Sequence, residues 1–141
     1  MTNKIELNWK GNMLFESIAP EGTVLIDAAE EFGGQGKGLR PKAMMLTSLA
    51  GCTAMDIASL LKKMRAEVAD FKIDVEANLT DEHPKYYDKV KVTYKFYDTE
   101  FKKDKIEKAV NLSIERYCGV MKMFEAFAEV SSEIIYIVNK K

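Results

Sequence analysis

The N-terminal third of the chain predicts three short β-strands. Over residues 5–9 apolar and polar side chains alternate with period two, as on a half-buried strand. Gly11-Asn12 predicts a two-residue hairpin turn into a second strand over residues 13–17. A third apolar stretch covers residues 23–27, after a turn at Pro20-Glu21-Gly22. Three short strands joined by tight turns predict an antiparallel meander.

A glycine-rich segment and a long helix follow the meander. Residues 30–41 contain four glycines and predict a flexible connection. Pro41 suits the first turn of a helix, because the amide hydrogen that it lacks would have no helical partner there. We predict one helix over residues 42–65. Its first half is apolar or small on nearly every side, which predicts burial all round, and its second half is amphipathic.

The last half of the chain predicts two strands, two helices and a final strand. Strict alternation covers residues 71–79 and 89–96, and Asp104 with Glu107 resembles a capping box. The apolar face of the helix that follows is formed by Ile106, Val110, Ile114 and Tyr117. Cys118-Gly119 interrupts this helix, and a short helix and a strand over residues 134–138 follow. The order β-β-β-α-β-β-α-α-β predicts an α+β fold.

Length and composition narrow the class of protein. The 141 residues fit a single domain over 1–141, and a hydrophobic content of 47% supports a core. A net charge of −1 gives no basic face for nucleic acid. No apolar run approaches ~20 residues, so no membrane span is expected. The N-terminus lacks the apolar block of a signal peptide, which predicts a cytoplasmic protein with reduced thiols.

The two cysteines carry the candidate chemistry. Cys52 lies in an apolar, small-residue run, and Cys118 follows the second predicted helix. Each is either a small core residue or a shielded nucleophile, and free cysteine is often buried. A nucleophile needs the thiolate, which Asp56, one helical turn from Cys52, disfavours. Arg40 and Lys37 are the cations nearest to Cys52 in the sequence that could offset this effect.

Other kinds of site have weak support in the sequence. His83 is the single histidine and no CxxC pair exists, so we predict no metal site. Residues 33–38 fit neither GxGxxG nor a P-loop, so we predict no nucleotide or other cofactor. The eight methionines suit either core packing or the wall of an adaptable apolar pocket, and the sequence leaves both interpretations open.

Two motifs carry a resemblance to a known family. Residues 38–57, which include GLRP and LTSLAGCTAMDI, together with LKKMR at 61–65, resemble the central helix of the osmotically induced protein C / organic hydroperoxide resistance (OsmC/Ohr) family. RYCGV at 116–120 resembles the family's C-terminal cysteine motif. The order of elements fits over nearly the whole chain, and the details look most like the less-characterised branch. The resemblance implies an intertwined homodimer, with antiparallel sheets around a long buried central helix and thiol sites at the subunit interface.

The resemblance also implies a chemistry and a role in stress response. Cys52 would match the peroxidatic cysteine, which a small organic hydroperoxide oxidises to a sulfenic acid. Cys118 would match the resolving cysteine, forming a disulfide that a cellular dithiol reduces. We therefore expect the two cysteines to lie close together, with Cα atoms within about 10 Å.

One departure from the family pattern bears on the rate. Active members carry a glutamate after the proline, where this chain has Lys42 and Ala43, and an arginine in the N-terminal half, where this chain has none before Arg40. We therefore expect slow oxidation, which a well-placed cation would reverse, and Arg40 or a lysine is the candidate for that replacement. The alternative is a non-enzymatic dimeric member that binds an apolar ligand or senses redox state through the same thiols.

Overall fold

The computed structural model of the chain describes residues 1–139, and its contacts divide into two compact units. The first unit comprises Met1–Met45, and the second begins at Leu46. The order of strands and helices matches the predicted order β-β-β-α-β-β-α-α-β, with a short 3-10 helix and a π turn added. The α+β class is therefore confirmed, whereas a single domain over 1–141 stays a prediction.

The first unit contains the predicted antiparallel meander. Its strands are β1 (Glu6–Trp9), β2 (Phe15–Ala19) and β3 (Gly22–Ile26), hydrogen-bonded in the order β1-β2-β3.

The first hairpin loop is longer than predicted. Trp9 pairs with Phe15, so residues 10–14 form the loop instead of Gly11-Asn12 alone. The Lys10 N–H donates to the Leu14 carbonyl at 2.8 Å, which closes this loop. The predicted strand over 13–17 therefore starts two residues too early. Glycine and asparagine tolerate the left-handed backbone of this loop, which the period-two pattern could not reveal.

The glycine-rich segment is organised around one buried carboxylate. Asp27 accepts hydrogen bonds from the backbone N–H groups of Ala28, Gln35 and Lys37 at 2.8, 3.0 and 3.2 Å. A 3-10 helix over Glu30–Phe32 lies between these contacts. These backbone hydrogen bonds, led by that from Gln35, lower the pKa of Asp27 although desolvation opposes them. Residues 28–37 are thus held by a specific acceptor.

The central helix, α1 (Pro41–Lys63), begins at the predicted proline and ends two residues before the predicted end. Within one chain the buried stripe of α1 consists of Leu49, Thr53, Ile57 and Leu61, so burial of its first half on every side stays a prediction that depends on a partner copy. Met55 on another side is 75% exposed. The described elements of the second unit cover one face of α1 and leave the rest open. By length and composition α1 could also span a membrane, a test that core helices of soluble proteins pass as well.

The second unit contains a mixed three-stranded sheet. Its strands are β4 (Asp70–Leu79), β5 (Tyr87–Asp98) and β6 (Glu129–Val138), in the order β4-β5-β6. β4 pairs with β5 antiparallel, but β5 and β6 are parallel, so the expectation of antiparallel sheets is wrong for this pair. The chain returns through two helices between β5 and β6, which is the kind of crossover that a parallel pair requires. β6 begins five residues before the predicted strand.

The crossover consists of α2 (Lys103–Leu112), a π turn (Ser113–Tyr117) and α3 (Gly119–Glu125). The predicted capping box is wrong, because Asp104 lies within the first turn of α2 and the cap position is Lys102. Tyr117 is 56% exposed, although Ile106 and Val110 of its predicted face are buried. A π turn contains more residues per turn than an α-helix, so it rotates Tyr117 away from that face.

The core of the second unit lies between α1, the sheet and the crossover. Leu49 and Ile57 from α1 pack with Tyr94 and Phe96 from β5. The crossover adds Ile106, Val110, Cys118, Met121 and Phe124 to the same cluster.

Candidate functional site

Cys118 lies where the π turn passes into α3. Its backbone N–H donates to the Ser113 carbonyl at 2.8 Å, and its Sγ accepts a hydrogen bond from the Met121 N–H at 3.3 Å. The residue has an extended backbone and is only 4% exposed. The interruption predicted at Cys118-Gly119 is therefore confirmed, and it fixes the sulfur at the start of α3.

Cys52 lies at the edge of the buried stripe of α1. It is half-buried and packs against the core, with buried Leu49 on one side and exposed Met55 on the other. A methyl group added at the neighbouring Gly51 would meet nothing within 4 Å in this chain. The side of α1 that carries Cys52 is therefore partly open, unlike the enclosed setting of Cys118.

The two free thiols lie in contact. Burial first, and then a hydrogen bond with the Cys52 side chain, raise the pKa of Cys118 to about 12. The hydrogen bond between the two side chains favours the protonated form of Cys118. Asp56 adds a smaller electrostatic contribution in the same direction. At neutral pH Cys118 is therefore a protonated thiol that interacts with the Cys52 side chain.

A chain of buried hydroxyl groups lies beside the thiols. Thr53 Oγ1 is 3.0 Å from the Tyr94 hydroxyl and 2.7 Å from Ser113 Oγ, and Ser113 Oγ donates to Asp56 Oδ2 at 2.8 Å. Each hydroxyl has one proton, so the donation to Asp56 fixes the other directions. Tyr94 donates to Thr53, Thr53 donates to Ser113, and Ser113 donates to the carboxylate. Burial raises the pKa of Tyr94, which keeps it a donor.

Sequence reasoning missed most of this hydroxyl chain. It identified Asp56 as a neighbour of Cys52, but it assigned nothing to Thr53, Tyr94 or Ser113. Thr53 was the available signal, since it is a polar residue inside the most apolar part of the helix. Tyr94 and Ser113 come from a strand and a π turn far along the chain, so no local pattern joins them to Thr53.

The predicted cations occupy exposed positions. Arg40 and Lys37 lie in the first unit, and Lys37 takes part in the loop around Asp27 through its backbone N–H. Arg116, in the π turn of the second unit, is also exposed. A role for Arg40 in activating a thiolate stays a prediction.

An open cleft of about 700 Å³ lies beside Cys118. Cys118, Tyr117 and Gly119 line it together with charged side chains of both signs. These charged residues are Glu115, Arg116, Lys122 and Glu125. The cleft is a route by which a small molecule could approach the crossover side of the thiol pair.

The described residues 1–139 contain no group of three or more His, Cys, Asp or Glu placed to hold a metal ion. His83 is exposed in the loop between β4 and β5.

Comparison with known proteins identifies the family. Residues 34–133 match the family described as "OsmC-like protein", a match that covers both cysteines and the whole of α1. The chain belongs to the OsmC-like protein family. The resemblance of the central helix and of the C-terminal cysteine motif to OsmC/Ohr proteins is thereby confirmed.

Individual relatives of this OsmC-like chain resemble it in sequence or in fold. Protein YhfA of Escherichia coli K12 is 28% identical over 95 residues, which is 67% of this chain and 71% of YhfA. A hypothetical protein from Aquifex aeolicus VF5 has a solved structure with a TM-score of 0.86 and 27% identity, covering 99% of both chains. An organic hydroperoxide resistance protein OsmC from Legionella pneumophila has a TM-score of 0.67 and 17% identity, covering 96% of this chain and 97% of its own.

Proposed function

We propose that this OsmC-like protein is a thiol-dependent redox protein that reduces small organic hydroperoxides. The Cys52 thiolate attacks the peroxide and the O–O bond breaks. The hydroxyl group stays on sulfur as a sulfenic acid, and the alkoxide leaves and takes a proton from water to become the alcohol. The Cys118 thiol then attacks the Cys52 sulfur. The S–S bond forms, the S–O bond breaks, and the thiol proton leaves with hydroxide as water. A cellular dithiol reduces the disulfide and restores both thiols.

The observation that carries this proposal is the contact between the two thiols. They come from elements far apart in the sequence, yet a hydrogen bond joins the side chains of Cys118 and Cys52. The reaction needs one thiolate and one thiol in contact, and the raised pKa of Cys118 makes it the thiol. The hydroperoxide resistance protein from Legionella supports the choice of substrate class through its name.

We expect the reaction to be slow. Asp56, the charged side chain that acts on Cys118, is acidic, and a negative charge opposes formation of any thiolate close to it. Lys42 and Ala43 stand where active relatives carry the glutamate. Arg40 is our candidate for a replacement activator, since an arginine never deprotonates at working pH.

Single-turnover kinetics with cumene hydroperoxide test this proposal. We expect the wild-type protein to be oxidised slowly and Cys52→Ser not to be oxidised. In Cys118→Ser the reaction should stop at the sulfenic acid on Cys52. Arg40→Ala tests the activator, and Lys42→Ala is its matched control. Fast turnover that Arg40→Ala abolishes would identify Arg40 as the activator and refute the slow reaction. An unreacted Cys52 after long exposure would contradict the enzymatic proposal.

A second candidate function is redox sensing or binding of an apolar ligand without turnover. Burial of Cys118 and the nearby Asp56 carboxylate favour it, since both slow thiolate chemistry without preventing slow disulfide formation. Under this candidate, oxidation would change the protein's affinity for an apolar ligand or a partner. Fluorescence of a bound apolar dye, compared between the reduced and oxidised protein, would distinguish the two functions.

We also propose that the protein acts as a cytoplasmic homodimer. Met45 and Met55 on α1 are 44% and 75% exposed, and a second copy packed at Gly51 would cover this side of the helix. Thiol chemistry of this kind fits a reducing compartment. Light scattering at micromolar concentration tests the assembly, and a monomer mass would refute it.

A further inference from the structure

We infer that Ser113 is a positioning residue that holds Cys118 beside Cys52, because it binds the central helix through its side chain and Cys118 through its backbone. Its side chain contacts Thr53 at 2.7 Å and Asp56 at 2.8 Å, one residue and one helical turn after Cys52. Its carbonyl accepts the Cys118 N–H at 2.8 Å. One residue thus joins the two segments that carry the thiols.

The π turn explains how Ser113 can determine the position of Cys118. Ser113 is the first residue of the π turn, and its bond to Cys118 spans five residues along the backbone. The two ends of the turn are thereby fixed to each other. Ser113 is fully buried, so water cannot replace Thr53 or Asp56 as its partner without opening the core. Loss of the side-chain contacts would free the π turn to shift, and Cys118 would shift with it.

This role of Ser113 rests on the proposed function, because the position of Cys118 matters in the step that forms the disulfide. Attack of the Cys118 thiol on the oxidised Cys52 sulfur requires a close and aligned approach. Ser113 holds Cys118 through its backbone carbonyl, so its loss should leave the first reaction of Cys52 close to the wild-type rate. A positioning role therefore predicts that one of two successive steps slows.

Ser113→Ala provides the test, with Ser59→Ala as the matched control at an exposed serine on α1. Under one equivalent of cumene hydroperoxide, we expect the disulfide step of Ser113→Ala to slow about tenfold or more. The sulfenic acid should persist for capture by dimedone, and excess peroxide should convert more of Cys52 to sulfinic acid. The rate of the first step should match wild type and Ser59→Ala. A disulfide step that stays equal or becomes faster would overturn the inference.

A second pair of variants covers the case in which Ser113→Ala fails to fold. Thr53→Val removes one side-chain anchor of Ser113 and keeps the shape, whereas Thr53→Ser keeps the hydroxyl. We expect Thr53→Val to slow the disulfide step and Thr53→Ser to restore it towards the wild-type rate. Equal rates in the two variants would overturn the inference.

Oxidised glutathione separates this inference from the proposed function. Cys52 displaces one glutathione thiolate to form a mixed disulfide, and Cys118 displaces the second to form the internal disulfide, with its proton passing to the released thiolate. We expect Ser113→Ala to slow this second displacement as well. Absence of a reaction with peroxide would refute the proposed function alone. A second displacement independent of Ser113 would refute the positioning role alone.

Discussion

Replacing Thr53 by valine should destabilise the second unit through the hydroxyl chain. Valine keeps the branched shape of threonine but removes the oxygen that accepts from Tyr94 at 3.0 Å and donates to Ser113 at 2.7 Å. Ser113 keeps Asp56 as a partner, whereas the fully buried Tyr94 hydroxyl loses its hydrogen bond to Thr53. A buried polar group left without its partner costs about 1–3 kcal/mol, so we expect a loss of about 2 kcal/mol in the free energy of unfolding.

Urea denaturation followed by circular dichroism measures this loss, at fixed protein concentration because dimerisation would contribute to stability. Thr23→Val, at an exposed position of β3, is the control and should change stability by less than about 0.5 kcal/mol. Thr53→Ser keeps the hydroxyl and should lose only about 1 kcal/mol for the missing methyl group.

A double-mutant cycle with Tyr94→Phe isolates the hydrogen bond. In the Tyr94→Phe background there is no phenol left to orphan, so Thr53→Val should cost about 1–2 kcal/mol less than it does in wild type. A coupling energy near zero would refute the reasoning, because Thr53 and Tyr94 would then contribute independently of each other.

Three further predictions concern other residues of the chain. Backbone hydrogen bonds stabilise the Asp27 carboxylate in the folded state and lower its pKa, so its contribution to stability is fully present above the ordinary value of 3.8. This contribution should be lost as the pH falls through the lowered pKa. Acid unfolding followed by Trp9 fluorescence should therefore depend less on pH in Asp27→Asn than in wild type. Gly51→Leu should convert a homodimer to monomer in light scattering without loss of circular dichroism, since open space surrounds the position in one chain; a dimer that persists would contradict packing at Gly51. Cys52→Ala should lower the pKa of Cys118 from about 12, while burial keeps it above the ordinary value of 9.0. The pH dependence of Cys118 alkylation measures this pKa, and an unchanged pKa would mean that Cys52 contributes nothing to it.

The sequence predicted the positions of helices and strands better than it predicted which segments pack against them. Period-two alternation located β4 and β5, and Pro41 marked the start of α1 correctly, because these signals are local. The parallel pairing of β5 with β6 and the π turn at Ser113 escaped prediction, since both depend on how distant segments meet. Burial of α1 on every side stays a prediction, because an apolar residue signals a preference for burial and does not identify what covers it.

The candidate site was predictable only in part, for the same reason. The two motifs pointed to Cys52 and Cys118, and the structure brings their thiols into contact. Thr53, Tyr94 and Ser113 became visible only after a helix, a strand and a π turn met in the core. Their side chains are ordinary hydroxyl groups, and their role comes from their neighbours.

Peptide mapping after a single oxidation tests the central claim most directly. Reduced protein would be treated with one equivalent of cumene hydroperoxide, quenched with an alkylating agent and digested without reduction for mass spectrometry. We predict a disulfide between Cys52 and Cys118 in the wild-type protein, and a sulfenic acid at Cys52 in Cys118→Ser. Two alkylated cysteines, or oxidation of Cys118 with Cys52 still free, would contradict it.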